Sequence, residues 1–214
     1  MARAGIAVIC VWLAVTLHLW VLLWPAAVMV AVSIAYLTKS PGAFGKRPDG
    51  THPLWAWIVW GPWFGYMWIA HEGARRLTSE PVASEVAPRI WVGRRPRVGE
   101  LPPGVTIVVD LCAEFPAGRG VRDGRTYLTI PTLDETSPTP EELRRAIADV
   151  LATPGHAFIH CAFGHGRSAT VAAGVLVQRG DATLETVEAQ MKAKRPRIGL
   201  NSLQRAALKR ALAP

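Results

Sequence analysis

The sequence predicts an α/β fold, a sheet flanked by helices and preceded by membrane helices. Three observations predict it. Of the nine tryptophans in 214 residues, only Trp91 lies beyond residue 70, so composition divides the chain near Arg75 into a Trp-rich apolar part and a more polar one. After residue 89, short apolar or β-branched runs give way to helix-prone ones, the alternation expected of a sheet covered by helices. Around residues 157–178 a strand-like run, a glycine turn and a helix-prone run follow in that order. The length suits one ordinary domain plus an appendage, placed as a membrane region over 1–76, a linker over 77–88 and the folded domain over 89–214.

Gly5 to Leu37 is almost continuously apolar, broken only by Thr16, His18, Pro25 and Ser33. One straight helix of that length would run about 50 Å against a hydrocarbon core of roughly 30 Å, so a single steep span is not expected. Trp24-Pro25 is the natural break, giving a first helix up to Leu23 and a second over Ala26 to Leu37; a single kinked, tilted span is the alternative. Lys39 to His52 is polar and rich in Gly and Pro, and reads as a loop. Pro53 to Ala70 returns to apolar character with five tryptophans and a Gly61-Pro62 break, which suits either a third span or a broken helix in the headgroup region. Arg75 and Arg76 close it.

Two arrangements follow. In one, a hairpin before Leu37 and an interfacial or re-entrant Trp segment leave both basic stretches in the cytoplasm. In the other, a kinked span and then a full span put Lys46 and Arg47 outside. Either makes this an integral membrane protein with a cytoplasmic folded domain. The three cysteines, Cys10, Cys112 and Cys161, imply no disulfide framework and fit a reducing compartment. His18 and His71, in or near the bilayer, fit structural or interfacial roles as well as functional ones.

Thr78 to Pro88 has few large apolar residues and reads as a linker. Strands are expected at Ile90 to Gly93, Thr106 to Leu111, Tyr127 to Ile130 and Ala157 to His160. Thr139-Pro140-Glu141-Glu142 is a helix start, with a capping Thr, Pro in the first turn and early acids, leading into Leu143 to Leu151. Further helices are expected over Arg167 to Gln178, Leu184 to Lys194 and Ser202 to Leu212, the last opened by an Asn201/Gln204 capping box.

The reactive stretch is Phe158-Ile159-His160-Cys161-Ala162-Phe163-Gly164-His165-Gly166-Arg167-Ser168. Five residues separate Cys161 from Arg167, enough backbone to curl around a tetrahedral anion with its N–H groups inward. Gly164 and Gly166 permit the positive φ such a curl needs. The N-terminus of the following helix faces the same point, which favours both a thiolate at Cys161 and a bound phosphate. Arg167 can grip two phosphate oxygens at once. A buried core cysteine beside a glycine turn is the bland alternative; the joint pattern of strand, His-Cys, five residues, Arg-Ser and helix argues against it.

His160-Cys161-x5-Arg167-Ser168 resembles the signature of the cysteine-dependent protein tyrosine phosphatase superfamily, in particular its dual-specificity branch. Ile90-Trp91-Val92-Gly93 resembles that family's opening strand and Val108-Val109-Asp110-Leu111 a central one, so the likeness covers about Pro88 to the C-terminus. It implies a dual-specificity-phosphatase-like sheet and a phosphomonoesterase with a cysteinyl-phosphate intermediate. In the roles it implies, Cys161 is the nucleophile, Arg167 with the loop residues Ala162, Phe163, Gly164, His165 and Gly166 holds the phosphate, and Ser168 donates to the departing thiolate. His160 orders the loop. It also implies that Asp134, in Pro131 to Pro138, is the general acid; on the residues alone Asp134 is a turn former and Glu135 its nearest rival. Asp110 and Glu114 are read as strand-end structural acids. His165 either touches substrate or sits exposed without a role.

No metal-ligand spacing is present, and neither a metal nor another cofactor is expected, as the resemblance also implies. The expected partners are a phosphorylated lipid or phosphoprotein substrate and an anionic membrane. The formal charge of +8, with the clusters Arg89, Arg94, Arg95, Arg97 and Lys192, Lys194, Arg195, Arg197, fits membrane contact or a solvated basic face equally. Nucleic acid is not expected, because the tryptophans lie in the apolar part and no basic motif with interleaved aromatics follows.

The stretch from Asp134 with Pro138 and Pro140, and then His160 to Thr170, is similar to the phosphatidylglycerophosphate phosphatase-like members. Ala162 to Gly166 contains no Lys or Arg, which argues against polyphosphorylated inositides and for a monophosphate ester. An inactive membrane-tethered phosphate-binding module is the alternative outside catalysis. Sulfur transfer or arsenate reduction on the same loop is the alternative within it.

Overall fold

The structure is a computed structural model and describes residues 2–213. The chain forms two compact units, one ending at Thr78 and one continuing from Ser79; the short loop Arg47–Thr51 belongs to the second.

In the N-terminal unit, α1 (Ala2–Thr16) and α2 (Leu23–Leu37) pack side by side, with Ala14, Ala26, Met29 and Val32 buried. The break falls at residues 17–19, with His18 at φ 55°, and not at Trp24-Pro25 as expected. Pro25 lies in the first turn of α2, where its missing N–H has no intrahelical acceptor to lose, so it starts the helix instead of interrupting it. Among the described residues only Trp20–Leu37 is a helical run long and apolar enough to cross a membrane. The next helix, α3 (Leu54–Leu77), runs unbroken through Gly61-Pro62. One face buries Ala56, Trp60, Trp63 and Phe64. Phe44 packs edge-on against Trp60, whose indole N–H donates to the Ala43 carbonyl at 2.9 Å.

The second unit holds the strands β1 (Ala83–Ala87), β2 (Ile90–Arg94), β3 (Val105–Cys112), β4 (Thr126–Thr132) and β5 (His156–Cys161). They form a five-stranded mixed sheet in the order β1-β2-β5-β3-β4. All pairings are parallel except β1 with β2. Strand β1 lies within the stretch that composition marks as linker. Its residues are mostly small, so hydrophobic content gives no signal, but Val86 and Ala87 are buried and a tight turn at Arg89 (φ 67°) folds the strand back on β2.

The central strands β3 and β5 are apolar on both faces, as parallel strands covered on both sides must be. The helices are α4 (Pro140–Ala152), α5 (Arg167–Gln178), α6 (Val187–Lys194) and α7 (Ser202–Leu212). Capping boxes open α4 at Thr139/Glu142 and α7 at Asn201/Gln204, as the sequence predicts. Helix α6 starts three residues later than expected because Thr183 and Thr186 close a polar turn first. Buried from Arg167 to Leu176, α5 is the central helix. At Gly174 a Cβ would collide with the Ile147 side chain of α4, so glycine sets the close approach of the two helices.

Candidate active site

The site forms where β5 ends and α5 begins. β5 delivers His160 and Cys161 to the turn, and α5 starts at Arg167, so the loop between them is tied down at both ends by buried elements. Gly164 adopts φ 77° and lies so close to β2 that a Cβ would collide with the Gly93 carbonyl. Its N–H donates to Cys161 Sγ at 3.2 Å, and the Ser168 hydroxyl lies 3.5 Å from the same sulfur. Gly166 stands at φ −114°, not at the positive angle expected of it. What it supplies is space, because a Cβ there would lie 2.9 Å from the Gln204 side chain.

Arg167 is buried and held from three directions. Its two terminal nitrogens donate to both oxygens of the buried Glu114, at 3.0 and 2.8 Å, and one also donates to the Thr132 carbonyl at 2.7 Å. Asp134, half exposed on the loop after β4, lies 3.3 Å from the same guanidinium. Burial opposes the charge on Arg167, but Glu114, Cys161 and Asp134 outweigh it, and the guanidinium is pushed well above its usual range. Its Nε is a buried donor with no partner among the described residues. Such a donor is costly to leave unmade.

The loop carrying Asp134 is itself fixed. Glu135 sits at φ 61°, Asn201 donates to its carbonyl at 2.7 Å, and Gln204 donates to the Thr136 carbonyl at 3.0 Å. Thus the residues that cap α7 also fix the loop that carries Asp134. Asp134, Arg167, Gly166 and Asn201 line a polar cavity of about 490 Å³.

Residues 90–214 match the family model described as PTP-SAK, "Swiss Army Knife protein, DSP-PTPase phosphatase domain". The chain belongs to this family. No curated protein matches the sequence. Among solved structures, a crystal structure of PTPMT1 in complex with PI(5)P is 20% identical, covering 61% of this chain and 94% of that one, with a TM-score of 0.54. Human DUSP28 is 21% identical over 60% and 94%, with a TM-score of 0.52. Tk-PTP in its active form is 25% identical over 61% and 96%, with a TM-score of 0.51. These likenesses place the phosphatase-family part of the chain in the dual-specificity phosphatase fold.

The structure brings Cys161, Arg167, Ser168 and Asp134 together, all four sequence candidates, around the loop Ala162 to Gly166. Beyond the backbone of Gly166, it departs from expectation at three side chains. Glu114, read as a strand-end acid, is the carboxylate that holds Arg167. A lone acid right after an apolar strand is a weak signal, and only the fold supplies its partner. His165 does not sit exposed without a role, since its Nε2 lies 2.7 Å from Glu80.

Arg195, counted in a surface cluster, is buried and donates to the Phe163 and Gly164 carbonyls at 2.9 and 3.0 Å and to the Pro81 carbonyl at 3.0 Å. These bonds tie the loop between Cys161 and Arg167 to the segment after α6 and to the residues before β1. Burial pulls the Arg195 guanidinium below its usual range, against the opposing pull of Glu80 3.4 Å away. Behind the loop, Asp110, Cys112 and His160 bring ligand-type atoms within 4.8 Å of one another, a grouping that spacing along the chain conceals. Asp110 is engaged there by the Tyr127 hydroxyl and the Cys112 N–H.

Proposed function

We propose that this chain is a membrane-anchored phosphomonoesterase that works through a cysteinyl-phosphate intermediate on a phospholipid monophosphate or a phosphoprotein. The observation that carries this reading is Arg167, clamped by Glu114 beside Cys161 with a buried Nε donor still to be satisfied. A phosphate seated in the loop takes that donor and the inward N–H groups, and the N-terminus of α5 stabilises its charge. Cys161 Sγ attacks phosphorus as the ester P–O bond breaks, and Asp134 gives its proton to the leaving oxygen. Water then attacks the S-phosphate, Asp134 takes a proton from it, and the S–P bond breaks to regenerate the thiolate. The Ser168 hydroxyl and the Gly164 N–H donate to that thiolate.

Membrane anchoring is supported by Trp20–Leu37 and by the exposed apolar side chains of the N-terminal unit. An enzyme so held meets lipid headgroups at high local concentration, which favours a lipid phosphate. The absence of Lys and Arg from Ala162 to Gly166 favours a single phosphate.

Phosphate release by the full-length protein, without added metal, from phosphatidylglycerophosphate vesicles and from a phosphotyrosine peptide tests both parts. Faster Cys161-dependent release from the vesicles is the expected result. Preference for the peptide would overturn the lipid assignment, and release from neither would overturn catalysis.

A further inference from the structure

The chain leaves the catalytic unit at Thr51 and re-enters it at Ser79, and all that lies between is α3 with short flanks. The first contact point is well built. Gly50, at φ 79°, is buried so tightly that a Cβ would sit 2.5 Å from the Tyr127 hydroxyl, and its carbonyl accepts the Ala117 N–H at 2.8 Å. Arg122 donates to the Asp49 carbonyl at 2.9 Å. At the other end Pro81 and Ser84 accept hydrogen bonds from the buried Arg195. A soluble folded unit stands on one side of a bilayer, so a segment that leaves it and returns has crossed an even number of times. One uninterrupted helix crosses once or not at all.

We propose that α3 does not cross the membrane but lies along the headgroup boundary of the leaflet that the catalytic unit faces, an inference that rests on the membrane reading above. Two further observations agree. Although its 24 residues reach about 36 Å, enough to span, α3 is not apolar enough to count as a span. Opposite its packed face, Trp55, Ile58, Val59, Tyr66 and Ile69 recur at helical spacing and are all exposed. An apolar stripe of that length needs cover. Its Trp and Tyr content, with the exposed Arg47 before the helix and the exposed Arg76 closing it, selects an anionic lipid surface. Basic residues at both ends also fit both ends lying on one side. Of the two arrangements left open by sequence, this selects the hairpin with an interfacial Trp segment.

The test uses variants of the full-length protein with one added cysteine each, in sealed vesicles, labelled with a membrane-impermeant maleimide. Wild type, whose Cys112 and Cys161 are buried and whose Cys10 in α1 is partly exposed, serves as the blank whose labelling is subtracted. Gly42→Cys reports the loop before α3, Ser79→Cys the point of re-entry, and Arg119→Cys the catalytic unit; all three positions are exposed. Labelling of all three from the same side is expected. Labelling of Gly42→Cys from the opposite side would make α3 a span and overturn the inference while the membrane reading stands. Release of the protein by an alkaline carbonate wash would bring down both.

A fluorophore at Trp55→Cys, Gly65→Cys or Ile69→Cys is expected to lose fluorescence equally to headgroup-level nitroxide lipid. A maximum of deep quenching at Gly65→Cys, or no quenching at any of the three, would also overturn the inference, the first in favour of a span and the second in favour of a protein partner on the stripe.

Discussion

The two units place the same kinds of side chain on opposite sides of their surfaces. In the catalytic unit Val108, Val109, Leu111, Ile159 and Leu176 are fully buried, while in the N-terminal unit Val21, Val30, Leu37, Ile58 and Ile69 are each more than half exposed. The buried polar groups contrast as well. The catalytic unit buries Arg167, Glu114, Ser168 and Arg195 around one loop, which is costly unless each charge is paired and hydrogen-bonded, as Arg167 is to Glu114 and Arg195 to the Phe163 carbonyl. One region hides its apolar side chains and gathers buried charge around a single loop, whereas the other leaves many apolar side chains facing outward and buries them only where its helices touch.

The largest expected effect lies in the anion site. Cys161→Ser should abolish phosphate release, and Arg167→Lys, which cannot satisfy Glu114 and a phosphate together, should lower kcat/KM by about 10²–10³-fold in steady-state assays. Asp134→Asn should lower kcat by roughly 10²–10⁴-fold with alkyl phosphates and much less with p-nitrophenyl phosphate, whose leaving group needs no proton. An equal loss with both substrates would remove Asp134 from the acid's role.

Next come the effects on stability. Glu114→Ala strands a buried guanidinium and should cost about 3–5 kcal/mol in denaturant unfolding of the catalytic unit's transition. The contrast between the units is sharpest in paired truncations: Leu111→Ala should cost about 2–5 kcal/mol, whereas Leu37→Ala should stay within roughly 0.5 kcal/mol and weaken membrane retention instead. Equal destabilisation by the two would break the comparison. Smallest within the catalytic unit is Asn201→Ala, which removes a helix cap and should cost about 1 kcal/mol while loosening the Asp134 loop, read as a lower kcat in protein that is still folded.

The legible parts of the sequence were those where local chemistry carries the signal. The His160 to Ser168 loop, the Thr139 and Asn201 caps and the four apolar strands all depend on neighbours in the chain. Strand β1 was hidden because small residues form it and its partner strand defines it. Pro25 misled because proline breaks a helix interior but begins a helix equally well. Glu114, Glu80 and Arg195 were misread or passed over because each acts on a loop distant in sequence, and nothing local distinguishes a buried acid or arginine from a surface one. Gly166 was assigned to the loop correctly, but its reason, clearance from Gln204, belongs to the tertiary structure.

In the proposed reaction Cys161 takes the phosphoryl group from substrate. Acid quenching of the full-length protein during turnover, followed by mass analysis of its peptides, is expected to find one phosphoryl group on the peptide containing Cys161, and neither adduct nor turnover in Cys161→Ser. Turnover that persists in Cys161→Ser, or that leaves Cys161 unmodified at every time sampled, would rule the intermediate out.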